Sequence, residues 1–229
     1  MQSSDIQLIK NNLVKANRNV LNMYTQDDII FLNKNKEFYN QYINSGKEYI
    51  YLIDKGPLKN YYLICDVNGI ISNWFYSPFI INDKYYNCVE QFMMAEKARL
   101  VNDTKSENSI MISTCPKEMK KIGKMIKMSY KQIQLWDNNK LDIVTQGVIA
   151  KFEQNEKLKE WLFIIKDHII AEASKYDNIW GIGKIKYDKF ITDYDKWGNN
   201  LLGKAIMTAS IKIFDIIPND GIKYELLRY

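Results

Sequence analysis

Residues 88–103 read CVEQFMMAEKARLVND. Apolar side chains at Val89, Phe92, Met93, Ala95 and Leu100 recur near the helical period, so the spacing predicts an amphipathic helix. The same stretch puts Glu90, Met94 and Lys97 on one face, because i, i+4 and i+7 align on a helix. Glu90 is set among Val89, Phe92 and Met93; a carboxylate at the edge of an apolar wall has a raised pKa and can act as a general acid or base. Lys97 can stabilise a carboxylate or phosphate, or attack a sugar C1 as a Schiff-base nucleophile. A solvated Glu/Lys face is the plainer alternative for the same spacing.

Upstream, SPFIINDKYYN (77–87) reads as a hairpin turning at Asn82-Asp83. YYLICDV (61–67) reads as a buried strand ending in the VNGI turn. NKEFYNQYINSGKEYIYLID (35–54) suggests a helix and then a short strand, broken at Gly56-Pro57. Downstream, KEMKKIGKMIKMSYKQ (117–132) reads as a basic helix opened by Pro116 at a favoured first position. As one helix it lines up Lys120, Lys124, Lys127 and Lys131, either a solvated face or a phosphate-binding surface. KLDIVTQGVIAKFEQN (140–155) and EKLKEWLFIIKD (156–167) read as two more amphipathic helices. IIAEAS (169–174) reads as a short strand, and a last helix starts near Asn199.

Composition narrows the chemistry. The chain has 229 residues, 46% apolar and 26% charged, which suits a globular protein and excludes disorder throughout. No run of about 18 apolar residues and no apolar leader is present, so a cytoplasmic protein with no membrane partner is expected. Cys65, Cys88 and Cys115 are odd in number and lack CxxC spacing, which favours a reducing compartment. His168 is the sole histidine, so paired-His catalysis and His-rich metal sites are excluded. It lies among apolar residues in LFIIKDHIIAEAS and reads as structural. Any catalysis then falls to carboxylates, lysines and aromatics, with no metal and no cofactor. The net charge of +5 is mild for a dedicated nucleic-acid binder.

Two further constellations stand out. AEASKYDNIWGIGK (171–184) gathers Glu172, Asp177, Trp180, Gly181 and Gly183. Gly-X-Gly lets backbone pass close to a ligand, and a Trp offers a stacking face; a tight turn around a core Trp is the alternative. KWGNNLLGKAIM (196–207) puts Asn200 and Gly203 at a helix start, which suits either an N-cap or an anion site.

Together SNWFYSPFIINDKYYNCVEQFMMAEKARL (72–100), LWDNNKLDIVTQGVIAKFEQN (135–155), IIAEASKYDNIWGIG (169–183) and WGNNLLGKAIM (197–207) resemble, in this order, the NADAR (YbiA-like) family. The resemblance implies an α+β fold, mainly helical, with a small β-sheet or hairpin. It implies a domain over 61–216, with 1–60 an N-terminal extension of unknown role and 217–229 a tail. It also implies N-glycosidase activity, cutting between a ribose C1 and a nitrogen. Two substrate classes follow: ADP-ribose on guanine, in nucleic acid or nucleotide, and ribosylamino-pyrimidine intermediates of riboflavin synthesis. ADP-ribosylated or ribosylated substrates, and modified DNA or RNA, are the implied partners.

Glu90 and Lys97 match the family's helix motif, Asp177, Trp180, Gly181 and Gly183 its Trp-Gly motif, and Asn200 and Gly203 its last motif. Asn73 matches the Ser-Asn before the hairpin, and Trp136 a Trp after the basic helix. In the implied mechanism Glu90 stabilises positive charge or activates water, and Lys97 alternatively forms an imine at C1. Asp177 orients a ribose hydroxyl or the lysine, and Trp136 or Trp180 stacks on the base or ribose. Lys124, Lys127 and the helix start at Asn200 hold phosphate. Lys124 and Lys127 stand where many relatives have Arg, so charge is kept but the bidentate fork is lost. Ile165-Lys166 replaces a Thr-Gly, and Ser210 replaces an Arg. A non-catalytic ADP-ribose or nucleotide sensor is the alternative, and a nucleic-acid-binding structural protein a third reading.

Overall fold

A computed structural model describes residues 48–51, 61–64, 69–166, 168–185, 188 and 193–216. The helix expected at the start of 35–54 lies outside the described residues, as does the tail from 217. The strands are β1 (Glu48–Tyr51), β2 (Tyr61–Ile64), β3 (Phe79–Ile81), β4 (Lys84–Tyr86) and β5 (Ile169–Glu172). The α-helices are α1 (Val89–Leu100), α2 (Thr104–Ile112), α3 (Pro116–Met125), α4 (Tyr130–Glu153), α5 (Glu156–Ile164) and α6 (Leu201–Phe214). This is the α+β, mainly helical class that the sequence implies. No helix among the described residues is long and apolar enough to cross a membrane.

The chain divides into two compact units. The first comprises residues 1–70, 167–203 and 219–229, and the second 71–166 and 204–218.

In the first unit, β2 is the central strand, antiparallel to β1 and parallel to β5. Leu63 pairs with Ala171 across the parallel ladder. Leu63, Ile64, Ile169, Ile170 and Ala171 are all buried, the near-continuous apolar run expected of a strand covered on both faces. His168 enters β5 buried, as a structural histidine would.

In the second unit, the hairpin β3–β4 turns where the sequence places it. Asn82 and Asp83 both have positive φ, at 49° and 59°, the geometry of a two-residue turn that matches strand twist. Phe79, Tyr86 and Phe92 then meet as an aromatic cluster, the last two edge to face at 5.1 Å. That cluster seats the hairpin on α1, and α1 packs in turn against α2, α3 and α4.

Three elements depart from the sequence expectation. The basic helix stops at Met125; Ile126 is extended and buried, and α4 starts at Tyr130, ten residues earlier than expected. The reason is a capping box. The Ser129 side chain accepts from Gln132 N, and the Gln132 side chain accepts from Ser129 N. Lys120 and Lys124 therefore lie on α3, Lys127 in the extended link and Lys131 on α4, so the single four-lysine helix face does not exist. The third is α2, capped by Asp103 on Ser106 N.

Gln91 locks α2 and its exit to α1. It is buried, its Oε1 accepts from Asn87 N at 2.7 Å, and its Nε2 donates to the carbonyls of Ile110, Met111 and Ser113. Replacing it with leucine keeps the volume but strands these backbone groups. Gln91→Leu is expected to lower the unfolding free energy by about 3 kcal/mol in urea titration.

Candidate active site

Helix α1 carries the first half of the site. Its opening turn is pinned to the preceding loop, because Glu90 N donates to Asn73 O at 3.0 Å. Glu90 is only 2% exposed, and its Oε2 accepts from Trp74 Nε1 at 3.2 Å. The loop is held from α4 as well: Lys151, itself buried, donates from Nζ to Ser72 O at 2.9 Å. Asn73 is buried beside this turn, and its Oδ1 has no hydrogen-bond partner among the described residues. Next to Glu90, burial pushes the Cys88 thiol up to about 11, so this cysteine stays neutral and unreactive.

Two turns further along α1, Lys97 is half-buried. Its Nζ donates to Gly123 O at 2.9 Å and lies over the Trp136 ring, 6.0 Å from the centroid. Burial lowers its pKa from the ordinary lysine value, and Asp137 partly offsets this. The Gly123 carbonyl is within reach because α3 approaches α1 closely: a Cβ on Gly123 would sit 2.0 Å from Met94 Sδ. Trp136, from the first half of α4, is buried with its face toward the amine. The structure thus joins Lys97 to Trp136, and Glu90 to Asn73.

The basic residues separate by environment. Lys124 and Lys127 are exposed, Lys124 on the last turn of α3 and Lys127 beyond its end. Lys120 instead turns inward, with Nζ 5.8 Å from the centroid of the Trp74 ring. Lys204 on α6 is 7% exposed, and burial lowers its pKa.

The Trp-Gly motif belongs to the first unit, where most of it builds a turn. Asp177 Oδ1 accepts from Ile179 N at 3.0 Å and Trp180 N at 2.8 Å. Gly183 has φ +68°, which other residues rarely adopt, and a Cβ on Gly181 would come within 2.9 Å of the carbonyls of Asp177 and Glu172. Both glycines are thus required by the protein's own backbone. Trp180 is half-exposed on this turn.

Asn200 is more deeply committed than an N-cap. It is buried with φ 50°, its Oδ1 accepts from Glu172 N at 3.1 Å, and its Nδ2 donates to Ile170 O at 2.9 Å. It therefore completes the free edge of β5. The leading N–H groups of α6 are also used: Leu201 N and Leu202 N donate to the carbonyls of Ile179 and Trp180. Two of the four leading donors of this helix thus already have acceptors within the protein. Asn200→Gly, which tolerates the positive φ, is expected to lower stability by about 2 kcal/mol, and Asn200→Ala by about 3 kcal/mol. Urea unfolding measures both.

Trp74 and Lys151 are site residues that the sequence reasoning did not single out, and Lys120, read there only as part of a basic face, lies over Trp74 instead. Lys151 left a signal: it falls in register with Val144 and Val148 on the apolar stripe of α4, where a lysine must have a buried partner. Trp74 left none, since no spacing rule ties an indole in a turn to a carboxylate sixteen residues later.

An α+β domain whose central helix carries a buried carboxylate and a half-buried amine is a specific architecture, and it has known relatives. Residues 61–213 match the NADAR domain, and the chain belongs to that family. It is 36% identical to an N-glycosidase of Acanthamoeba polyphaga mimivirus over 60% of this chain and 84% of that one. Protein irg-1 of Caenorhabditis elegans is 36% identical over 53% of this chain; the match spans 58% of the worm protein's length. The riboflavin biosynthesis protein PYRR of Zea mays is 24% identical over 69% of this chain and 26% of its own. The NMR structure of the E. coli protein YbiA shares the fold, with a TM-score of 0.52 at 22% identity, over 66% of this chain and 80% of that one.

Proposed function

We propose that this protein is an N-glycosidase that cleaves the bond between a ribose C1 and a base or amine nitrogen. The observation that carries this reading is α1 itself. It presents a buried carboxylate, Glu90, and two turns on an amine, Lys97, which burial biases toward its neutral, nucleophilic form. The N-glycosidase relative from mimivirus supports the reaction class.

In the proposed step, Lys97 Nζ attacks C1 and the C1–N bond breaks. The bonding pair and a proton go to the departing nitrogen; the C1–O4′ bond then opens, the ring oxygen taking that bonding pair and a proton from the lysine nitrogen, which leaves an imine between lysine and the ring-opened sugar. Water then hydrolyses the imine, freeing the sugar and regenerating Lys97. Glu90 opposes the positive charge that develops at C1 and carries protons between water, amine and leaving group. Trp136 supports the lysine and offers a flat apolar wall for the sugar or base. Asp177 holds the turn that presents Trp180. Lys124 and Lys127, both exposed, attract the substrate's phosphates. Asn73, with a buried unmatched oxygen, receives a ribose hydroxyl or an amino group of the base.

Two substrates fit this chemistry, ADP-ribosylated guanine and a ribosylamino-pyrimidine phosphate, and the maize riboflavin protein supports the second. The test is a side-by-side assay with both, read by mass spectrometry and with borohydride added to trap an imine. Cleavage of one substrate assigns its class. Tight ADP-ribose binding with cleavage of neither identifies a sensor instead.

A further inference from the structure

Trp74 touches the proposed chemistry without being part of it. Its indole N–H is a donor only, and it donates to Glu90 Oε2 at 3.2 Å. A bond donated to a carboxylate favours the ionised form, opposing the effect of burial on Glu90. The indole is itself fixed from several sides. Its backbone N donates to Ser72 Oγ at 3.2 Å, Ser72 O receives Lys151 Nζ from α4, and Asn73 O receives Glu90 N from α1. From α3, the Lys120 ammonium lies over the ring at 5.8 Å, and a cation on that face polarises the N–H further.

We propose that Trp74 is a positioning residue for Glu90, holding its carboxylate in one orientation and ionised at neutral pH. Its role in turnover rests on the N-glycosidase reading; its effect on Glu90 does not. Of the charged and titratable groups on the elements packed there, Cys88 precedes Glu90 in its own segment and Lys97 lies two turns on, Lys120 of α3 sits over the Trp74 ring, and Lys151 of α4 is bonded to the carbonyl of Ser72 in the same loop. Cys88 is neutral in the working range, and neither Lys97 nor Lys151 is touched by a change at Trp74 that keeps the ring.

Trp74→Phe keeps a smaller aromatic face beneath Lys120 and removes the donor. In the full chain labelled with 13C-glutamate, with Glu90→Gln assigning the signal, the Glu90 midpoint is expected to rise by about one pH unit. The acid limb of kcat should rise by the same amount, so that kcat falls about tenfold below it while KM stays within about twofold. Lys120→Met should move the midpoint the same way by less. In the unmutated protein the Trp74 indole N–H resonance should shift as Glu90 titrates, which needs no variant to fold. A Glu90 midpoint unchanged in folded Trp74→Phe, or an indole resonance indifferent to that titration, overturns the proposal. A midpoint that moves in a protein cleaving neither substrate upholds it and refutes the N-glycosidase reading.

Discussion

Lys97→Ala is expected to abolish the borohydride-trapped adduct and to lower kcat by about 1,000-fold or more, with the fold intact. The loss is chemical, because Lys97 is half-buried and its one hydrogen bond shown here, to Gly123 O, is replaceable by water. Lys97→Arg should be equally inactive: guanidinium keeps the charge and stays protonated, so it cannot attack C1. The pH dependence separates this from a role in binding. Burial lowers the Lys97 pKa, so the fraction of free amine rises with pH and saturates below the range of an exposed lysine. Single-turnover rates should follow that rise in the wild type and lose it in Lys97→Ala. A wild-type rate in Lys97→Ala, with no adduct in either protein, would show that water attacks C1 directly.

Glu90→Gln is expected to lower kcat by about 100- to 10,000-fold while leaving the melting temperature nearly unchanged. Glutamine has the same size, and its amide oxygen can still accept from Trp74 Nε1. What disappears is the negative charge against the developing cation and the capacity to carry a proton. Glu90→Ala should behave differently, losing stability as well, since it opens a cavity at a site that is 2% exposed. Comparing the two by thermal melting and by initial rates separates the charge from the packing. Activity near wild type in Glu90→Gln would remove Glu90 from the mechanism.

Much of the fold was legible because local chemistry and tertiary packing agree. Asn82-Asp83 specifies a two-residue turn on its own, and the flanking residues pack it down. The spacing of 88–100 predicts the helix α1 but not its surroundings: Val89 through Ala95 are all buried, so its first two turns are covered on every side rather than amphipathic. The basic stretch misled because a lysine-rich run is compatible with continuous helix, whereas the buried Ile126 and the Ser129–Gln132 box end one helix and start another. That box is itself a sequence signal, Ser and Gln three residues apart, and it marks the break between the two helices. The site was legible as residue types in order, and their division of labour was not. Asp177, Gly181, Gly183 and Asn200 are recognisable in the Trp-Gly and last motifs, yet most of their polar or conformational capacity is used by the turn and by β5.

The sequence by itself predicts the helix bearing Glu90 and Lys97, and its ordered motifs carry the NADAR membership and, through that resemblance, the α+β class. The helix follows from residue spacing and the membership from motifs in order, neither of which depends on what lies across the core. Only the tertiary structure decided that Lys97 meets the Gly123 carbonyl and the Trp136 face, that Trp74 donates to Glu90, and that Lys151 pins the loop at Ser72. Each of these contacts joins residues from 16 to 79 positions apart. Such pairs exist because burial forces every polar group to find a partner within hydrogen-bond reach, and which partner is within reach is set by helix packing rather than by neighbours in the chain.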